Sequence, residues 1–279
     1  MTLEVISAVL LGALLHALWN TLAKRNAARA GDAVVVGMMA GLPAALTLPW
    51  TALPQAAAWP QIIASALIHV AYFKVLAGAY RGGDLSVAYP LMRGLPPLVV
   101  AASAILVFDE TLSATAWMAL LVLIAGVLLL GWEGLRRGAL NASAARFVAT
   151  QIVIIVIYTL VDASGVRTAG NAWSYIAWMF FLTSLVLLPV SLPSLRGISG
   201  EGMRAMSLAL IGGLCTLGSY GIALWAMTRA PVALVAALRE SSILFGAALG
   251  AWLLGERFGP LRWVAVLMVA GSVAAMRFV

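Results

Sequence analysis

Long apolar runs broken by short polar turns make up almost the whole chain. Ten of them are close to 20 residues long, the length at which a helix crosses a bilayer core. They cover 3–24, 32–51, 60–80, 85–107, 113–132, 147–167, 172–191, 203–228, 232–254 and 260–278. The connections are too short to hold a folded extramembrane domain. The longest, 133–146 (EGLRRGALNASAAR), falls at mid-chain. The pattern predicts an all-α polytopic membrane protein of ten transmembrane helices, with five spans in 1–132, a linker over 133–146 and five spans in 147–279.

The two groups of five are related. Shifting 86–110 (SVAYPLMRGLPPLVVAASAILVFDE) by 146 positions lays Arg93 on Arg239, Glu110 on Glu256 and Trp117 on Trp263. At an offset of 142, His16 to Asn20 and Arg25 fall on Tyr158 to Asp162 and Arg167. A unit with an odd number of spans enters the membrane upside down when it is repeated. The expected architecture is therefore two inverted five-helix repeats around a central cavity, an arrangement common among secondary transporters. Pro90, Pro96 and Pro97 in the fourth span remove backbone donors and predict a kink or break there. Gly37 with Gly41, and Gly246 with Gly250, are spaced for close helix packing, which we assign to contacts within one chain rather than to an oligomer.

Composition agrees with this reading and removes several alternatives. Of 279 residues, 63% are hydrophobic and 10% charged, and the mean hydropathy is +1.04; soluble domains carry about a quarter charged residues. The net charge of +7 sits singly at span ends, which suits lipid headgroups and topology setting and not nucleic acid. Lys24, Arg25, Arg29, Arg81, Arg136, Arg137, Arg146, Arg196, Arg204, Arg257 and Arg262 fall on one side; Arg167, Arg229 and Arg277 fall on the other. The richer side is expected to be cytoplasmic, with both termini on the non-cytoplasmic side. Basic residues follow the first span and none precedes it, so it reads as a helix and not a cleaved leader. The single cysteine, Cys215, excludes an intrachain disulfide. Arginine predominates over lysine, as in GC-rich bacterial genomes.

Charged and polar side chains inside the spans are the candidate chemistry, because intramembrane charge is costly and by default functional. His16, Trp19 and Asn20 share one face of the first span, and Tyr158 and Asp162 share one face of the sixth. His69, Tyr72 and Phe73 do so on the third. Two roles fit these faces equally: cavity lining, or interhelical hydrogen bonds that hold the bundle. Lys74 lies near enough to a span end to snorkel. Arg93, with Tyr89 one turn away, and Arg239, Glu240 and Asp162 lie deeper and require partners or a substrate. Tyr220 and Trp225, near Gly218 and Gly221, fit a cavity wall. Trp173, Tyr175 and Trp178 fit an interfacial belt. Glu110 and Glu256, at helix ends, fit caps and turns. No residues have metal-ligand spacing, and no nucleotide-binding motif is present. No cofactor is expected.

The ten spans in two halves, with a Glu before a tight turn at the end of each fourth helix (Phe108-Asp109-Glu110 and Leu254-Gly255-Glu256-Arg257), resemble the drug/metabolite transporter superfamily and, within it, the EamA-type exporters. The aromatic-rich spans resemble its amino-acid exporters of the YddG type. Asp109 stands where the family usually has glycine. The resemblance implies a basket-like bundle in a bacterial inner membrane, lined by the first, third and fourth helices of each half, with the fifth helices at the periphery. It implies a monomeric secondary transporter, not an enzyme, exporting amino acids or related metabolites by alternating access. Facilitated diffusion and proton coupling through Asp162, Glu240 or His16 are both compatible. Drug or lipid-linked sugar carriers are the alternative within the superfamily. An integral membrane enzyme is disfavoured because no nucleophile, acid–base pair or metal set clusters near an interface.

A zwitterion requires a cation for its carboxylate, here Arg93 or Arg239, and an anion for its ammonium, here Glu240 or Asp162. Trp19, Tyr72, Tyr89, Tyr158 and Trp225 are placed to stack on apolar side chains. Arg93 and Glu240 each lie eight residues, about 12 Å of rise, into their spans from opposite faces. Across a core of about 30 Å they fall within roughly 6 Å in height, and the family fold sets both helices at the cavity. They are expected to meet at mid-membrane, as a salt bridge or as the two poles of the site. The loop-charge bias makes a separate prediction: a reporter fused after Val279 should be active only as a periplasmic fusion, and cytoplasmic activity would overturn the orientation.

Overall fold

A computed structural model describes residues 1–25, 32–82, 85–136, 138, 141–200, 202–254 and 259–278. All ten expected spans are helical, and there are thirteen helices because three of the spans, 32–51, 85–107 and 232–254, are each broken in two. The elements are α1 (Leu3–Arg25), α2 (Asp32–Met39), α3 (Gly41–Thr47), α4 (Trp59–Gly82), α5 (Leu85–Gly94), α6 (Pro96–Phe108), α7 (Ala114–Arg136), α8 (Ala142–Thr168), α9 (Ala172–Gly200), α10 (Met203–Met227), α11 (Val232–Arg239), α12 (Ser242–Leu254) and α13 (Pro260–Ala275). No strand occurs among the described residues. The turn holding Glu256 and Arg257 lies outside them, as does the side chain of Tyr89.

Each break has a local cause. Between α5 and α6, Pro96 and Pro97 cannot donate to the carbonyls of Met92 and Arg93, so the helix stops at Gly94. Between α11 and α12 there is no proline. There the backbone tightens: Glu240 N donates to the Ala237 carbonyl (3.0 Å), Ser241 N to Leu238 (3.1 Å) and Ile243 N to Glu240 (2.9 Å), all three residues apart. Ser241 Oγ also donates to the Leu238 carbonyl at 2.7 Å, competing with the backbone donor. The two interruptions follow Arg93 and Arg239, residues 146 positions apart, so each short helix ends at a buried arginine.

The helices pack as α4 on α8, α1 on α10 and α12, α11 on α6, and α7 on α13. Close approaches are made where a side chain is missing. A Cβ on Gly37 would overlap the Phe73 ring, one on Gly41 the Ser184 side chain, and one on Gly165 the Tyr175 ring. The Gly37/Gly41 pair therefore serves packing within the chain. Gly246 differs: no described atom lies within 4 Å of its Cβ position. Gly218 admits Leu15 and Gly221 admits Ile176. Exposed leucines and valines such as Leu106, Leu121 and Leu267 cover the outside, as a lipid-facing surface requires. Lys74 is exposed, in keeping with the snorkelling reading.

The turn after α6 has a backbone conformation that suits glycine. Asp109 takes the left-handed conformation (φ 53°, ψ 28°), and both its own N–H and that of Glu110 (3.3 Å) donate to the Ala104 carbonyl. Aspartate tolerates this region, though less easily than glycine. Asp109→Gly should leave thermal stability unchanged or raise it by about 1 kcal/mol, whereas Asp109→Val should lower it by about 1–2 kcal/mol. Unfolding in detergent, followed by heat, would show the order; equal stability of the Val variant and the parent would refute it.

Candidate functional site

The site is easiest to build from α8. Gln151, Ile155, Tyr158 and Asp162 follow at steps of four, three and four, so they share one face, and all four are buried. Val166, four residues on, ends the row. From Gln151 to Val166 this face extends about 22 Å, most of the thickness of an apolar core; Arg167 lies to its side and is exposed. The polar residues of α1, α4, α5, α10 and α11 meet it at successive heights.

At mid-height Arg93 and Glu240 meet as expected. Arg93 Nε donates to Glu240 Oε2 at 3.0 Å, and Nη2 lies 2.9 Å from Oε1. Both side chains are below a tenth exposed. The contact joins the ends of two short helices, α5 and α11. Isolated, either ion would be strongly disfavoured in this medium; paired through the guanidinium fork, they compensate each other.

Asp162 has different partners from those expected. It accepts hydrogen bonds from Tyr175 Oη (2.7 Å) and Tyr220 Oη (2.6 Å), one on each carboxylate oxygen, and is fully buried. No arginine pairs with it. Tyr175 is thereby corrected: it is no belt residue but lies wholly buried in the notch left by Gly165, where its hydroxyl reaches Asp162. Trp173 is exposed and keeps the belt assignment. Trp178 packs edge-on against Trp59.

Arg239 is the exceptional group. Its guanidinium lies 5.0 Å above the Tyr220 ring, and it is only 9% exposed. Among the described residues it makes no hydrogen bond and no ion pair. Around Tyr220 stand Tyr158, His69 and Phe180, with ring centroids 5.6, 5.7 and 6.3 Å away. Tyr72 continues the cluster at 5.6 Å from Tyr158. The cation is held by aromatic faces and lacks a carboxylate.

Nearer the other end of the bundle, His16, Trp19, Asn20, Tyr72, Arg93 and Gln151 line a small gap of about 10 Å³, room for roughly one water. Trp19 Nε1 donates to His16 Nδ1 at 3.2 Å, and Asn20 Nδ2 donates to the His16 carbonyl at 2.8 Å. Gln151 is wholly buried, and neither its amide nitrogen nor its oxygen has a hydrogen-bond partner. An orphaned amide is costly in an apolar bundle, so its position beside Arg93 is a mark of function. Sequence reasoning passed over Gln151, although its spacing from Tyr158 and Asp162 places it on their face.

Trp225 does not join this cavity. With Arg167, Asn171, Trp173 and Arg229 it lines a vestibule of about 840 Å³, at the end of the bundle that carries Met1. Arg229 lies 4.6 Å over its ring. Glu110, expected to fix its own turn, instead reaches Arg167 Nη2 (2.6 Å) and the Val232 N–H (2.8 Å).

Broken helices that meet at buried ions are a feature shared with membrane transporter cores. Residues 143–278, the second half of the chain, match the model of the EamA-like transporter family. A solved structure titled only as the crystal structure of a protein superposes with a TM-score of 0.70 at 18% identity, covering 98% of each chain; this likeness concerns the fold. No curated protein matches the chain.

The central pair makes a direct prediction. Arg93→Ala or Glu240→Ala strands a buried ion and should cost about 3–5 kcal/mol of stability, read by thermal unfolding in detergent. The double alanine variant should be more stable than either single one. Additive losses would show that the two side chains act independently.

Proposed function

We propose that this protein is a secondary transporter exporting small carboxylate-bearing metabolites, amino acids foremost, across a bacterial inner membrane by alternating access. The match of residues 143–278 to a transporter family supports the class. The observation that supports the substrate is Arg239: a buried cation over the Tyr220 ring that makes no ion pair among the described residues. Arg93 and Glu240 already neutralise each other, and both Asp162 oxygens are occupied by tyrosine hydroxyls. A substrate carboxylate at Arg239 would complete the charge balance, and the rings of Tyr158, Tyr220 and His69 would take up its apolar part. The carbonyls freed at Met92 and Arg93 and the amide of Gln151 offer acceptors for an ammonium group.

The interrupted helices fit alternating access in which α5 and α11 tilt about their breaks. The internal repeat read from the sequence, as two inverted units of five spans with both termini on the non-cytoplasmic side, fits such rocking. All these groups come from one chain, so a monomer suffices. Asp162, between two hydroxyls, is the group to examine for proton coupling.

Proteoliposomes loaded with labelled amino acids test the assignment. Arg239→Ala should raise the KM for export roughly 10- to 100-fold, the loss expected for hydrogen bonds to a charged group, and Arg239→Lys should fall between. Amino-acid amides, which lack the carboxylate, should compete poorly with the parent protein. Trp19→Ala should impair large apolar substrates more than small ones. Equal competition by acids and amides would dispose of the carboxylate assignment.

A further inference from the structure

We propose that Glu110 and Arg167 form the gate at the end of the path nearest Met1, and that the same pair positions α11 and hence Arg239 and Glu240. This rests on the transport reading above.

Two side chains tie together four chain segments. Glu110, after α6, accepts from Arg167 Nη2 at the end of α8 and, with its second oxygen, from the first backbone N–H of α11 at Val232. Arg167 Nε donates to the carbonyl of Met227, which ends α10, at 2.8 Å, and Nη2 lies 3.4 Å from the Ala230 carbonyl. The guanidinium also covers the Phe108 ring at 4.8 Å. A carboxylate at a helix N-terminus is favoured by both the free N–H groups and the helix dipole. Glu110 thus caps a helix 122 residues away in sequence.

Position supports a gate over a plain cap. Arg167, Ala230 and Pro231 form part of the vestibule wall, so water has access to one side of the pair. On the other side Asp162 lies five residues inward, about 7.5 Å along α8, beneath Tyr220 and Arg239. The pair is the barrier between the vestibule and the buried site. It is also only partly desolvated, with side chains 29% and 12% exposed, so it can exchange its contacts for water. The centrally buried pair cannot do this so readily.

α11 is built to transmit the change. Pro231 precedes it and the tightened turn at Glu240–Ser241 ends it, so its eight residues form a rigid piece between two interruptions. Glu110 holds one end of this piece and Arg239 is at the other, about 10 Å away. Release of Glu110 frees the vestibule end of α11 and shifts both Arg239 and Glu240.

Thiol labelling of the full chain tests the gate without any substrate. In a Cys215→Ala background, Ala236→Cys places a buried thiol on the face of α11 between Val232 and Glu240, and Ala209→Cys is a buried control on α10. Glu110→Ala and Arg167→Ala should each speed labelling of the thiol at 236 by a membrane-impermeant maleimide at least roughly tenfold, the effect of losing a charge-assisted hydrogen bond. The control at 209 should be unchanged. The double variant should exceed either single one only slightly, as for two members of one contact. Glu110→Gln keeps an acceptor for Val232 and should give an intermediate rate; it replaces Glu110→Ala if that variant fails to fold. Equal acceleration at 236 and 209 would mean general loosening and overturn the gate, as would no acceleration at 236. Transport of carboxylates could fail with these labelling results intact, so the two readings are separable.

Discussion

The ion pair of Arg93 and Glu240 is the constraint around which the bundle is arranged. Two charges taken out of water in an apolar medium are tolerable only if they meet in good geometry. That requires α5 and α11 to bring their ends to one point. Each helix stops within a residue of its ion, which leaves backbone polar groups at the same depth as the charges. Irregular backbone at membrane depth is tolerated only where protein or a cavity covers it, and here both breaks are enclosed. The costly features are thus gathered at one place, where each helps to satisfy the others.

Around that centre the polar groups divide into satisfied and unsatisfied ones. Asp162 has a hydroxyl on each oxygen and His16 is bonded to Trp19. Arg239 has only a ring beneath it, and Gln151 has no partner for either end of its amide. Gln61, Ser174, Trp178 and Ser242 also bury polar atoms without a partner, so what sets Gln151 and Arg239 apart is their place beside the central ion pair and the aromatic cluster.

The α8 face gives this path its length. It passes the orphaned amide, the aromatic cluster and the tyrosine-held carboxylate in turn. Gly165 matters because it lets Tyr175 approach α8 closely enough to reach Asp162. The ion pair at the vestibule and the one at the centre have similar chemistry but different surroundings. The first is partly exposed and the second is buried, where it holds the helix ends together.

Much of this was legible in the sequence, and for a definite reason. Hydropathy and helical period are local properties, so the ten spans, the shared face of Tyr158 and Asp162, and the depth of each charge follow from residue spacing alone. Equal depth together with the family fold even brought Arg93 to Glu240. The prolines at 96 and 97 announced one helix break. What spacing does not contain is the lateral arrangement of helices. Asp162 and Arg239 lie at similar depth, yet packing gave Asp162 two tyrosines and left Arg239 without an anion. Nothing local marked the break at Glu240–Ser241, which has no proline. Trp225 has the same chemistry at the vestibule as it would have had at the cavity, and Glu110 capped a distant helix and not its own turn. Depth is set by the order of residues along each helix; partnership is set by which faces the folded bundle turns towards one another, and only the tertiary structure decides that.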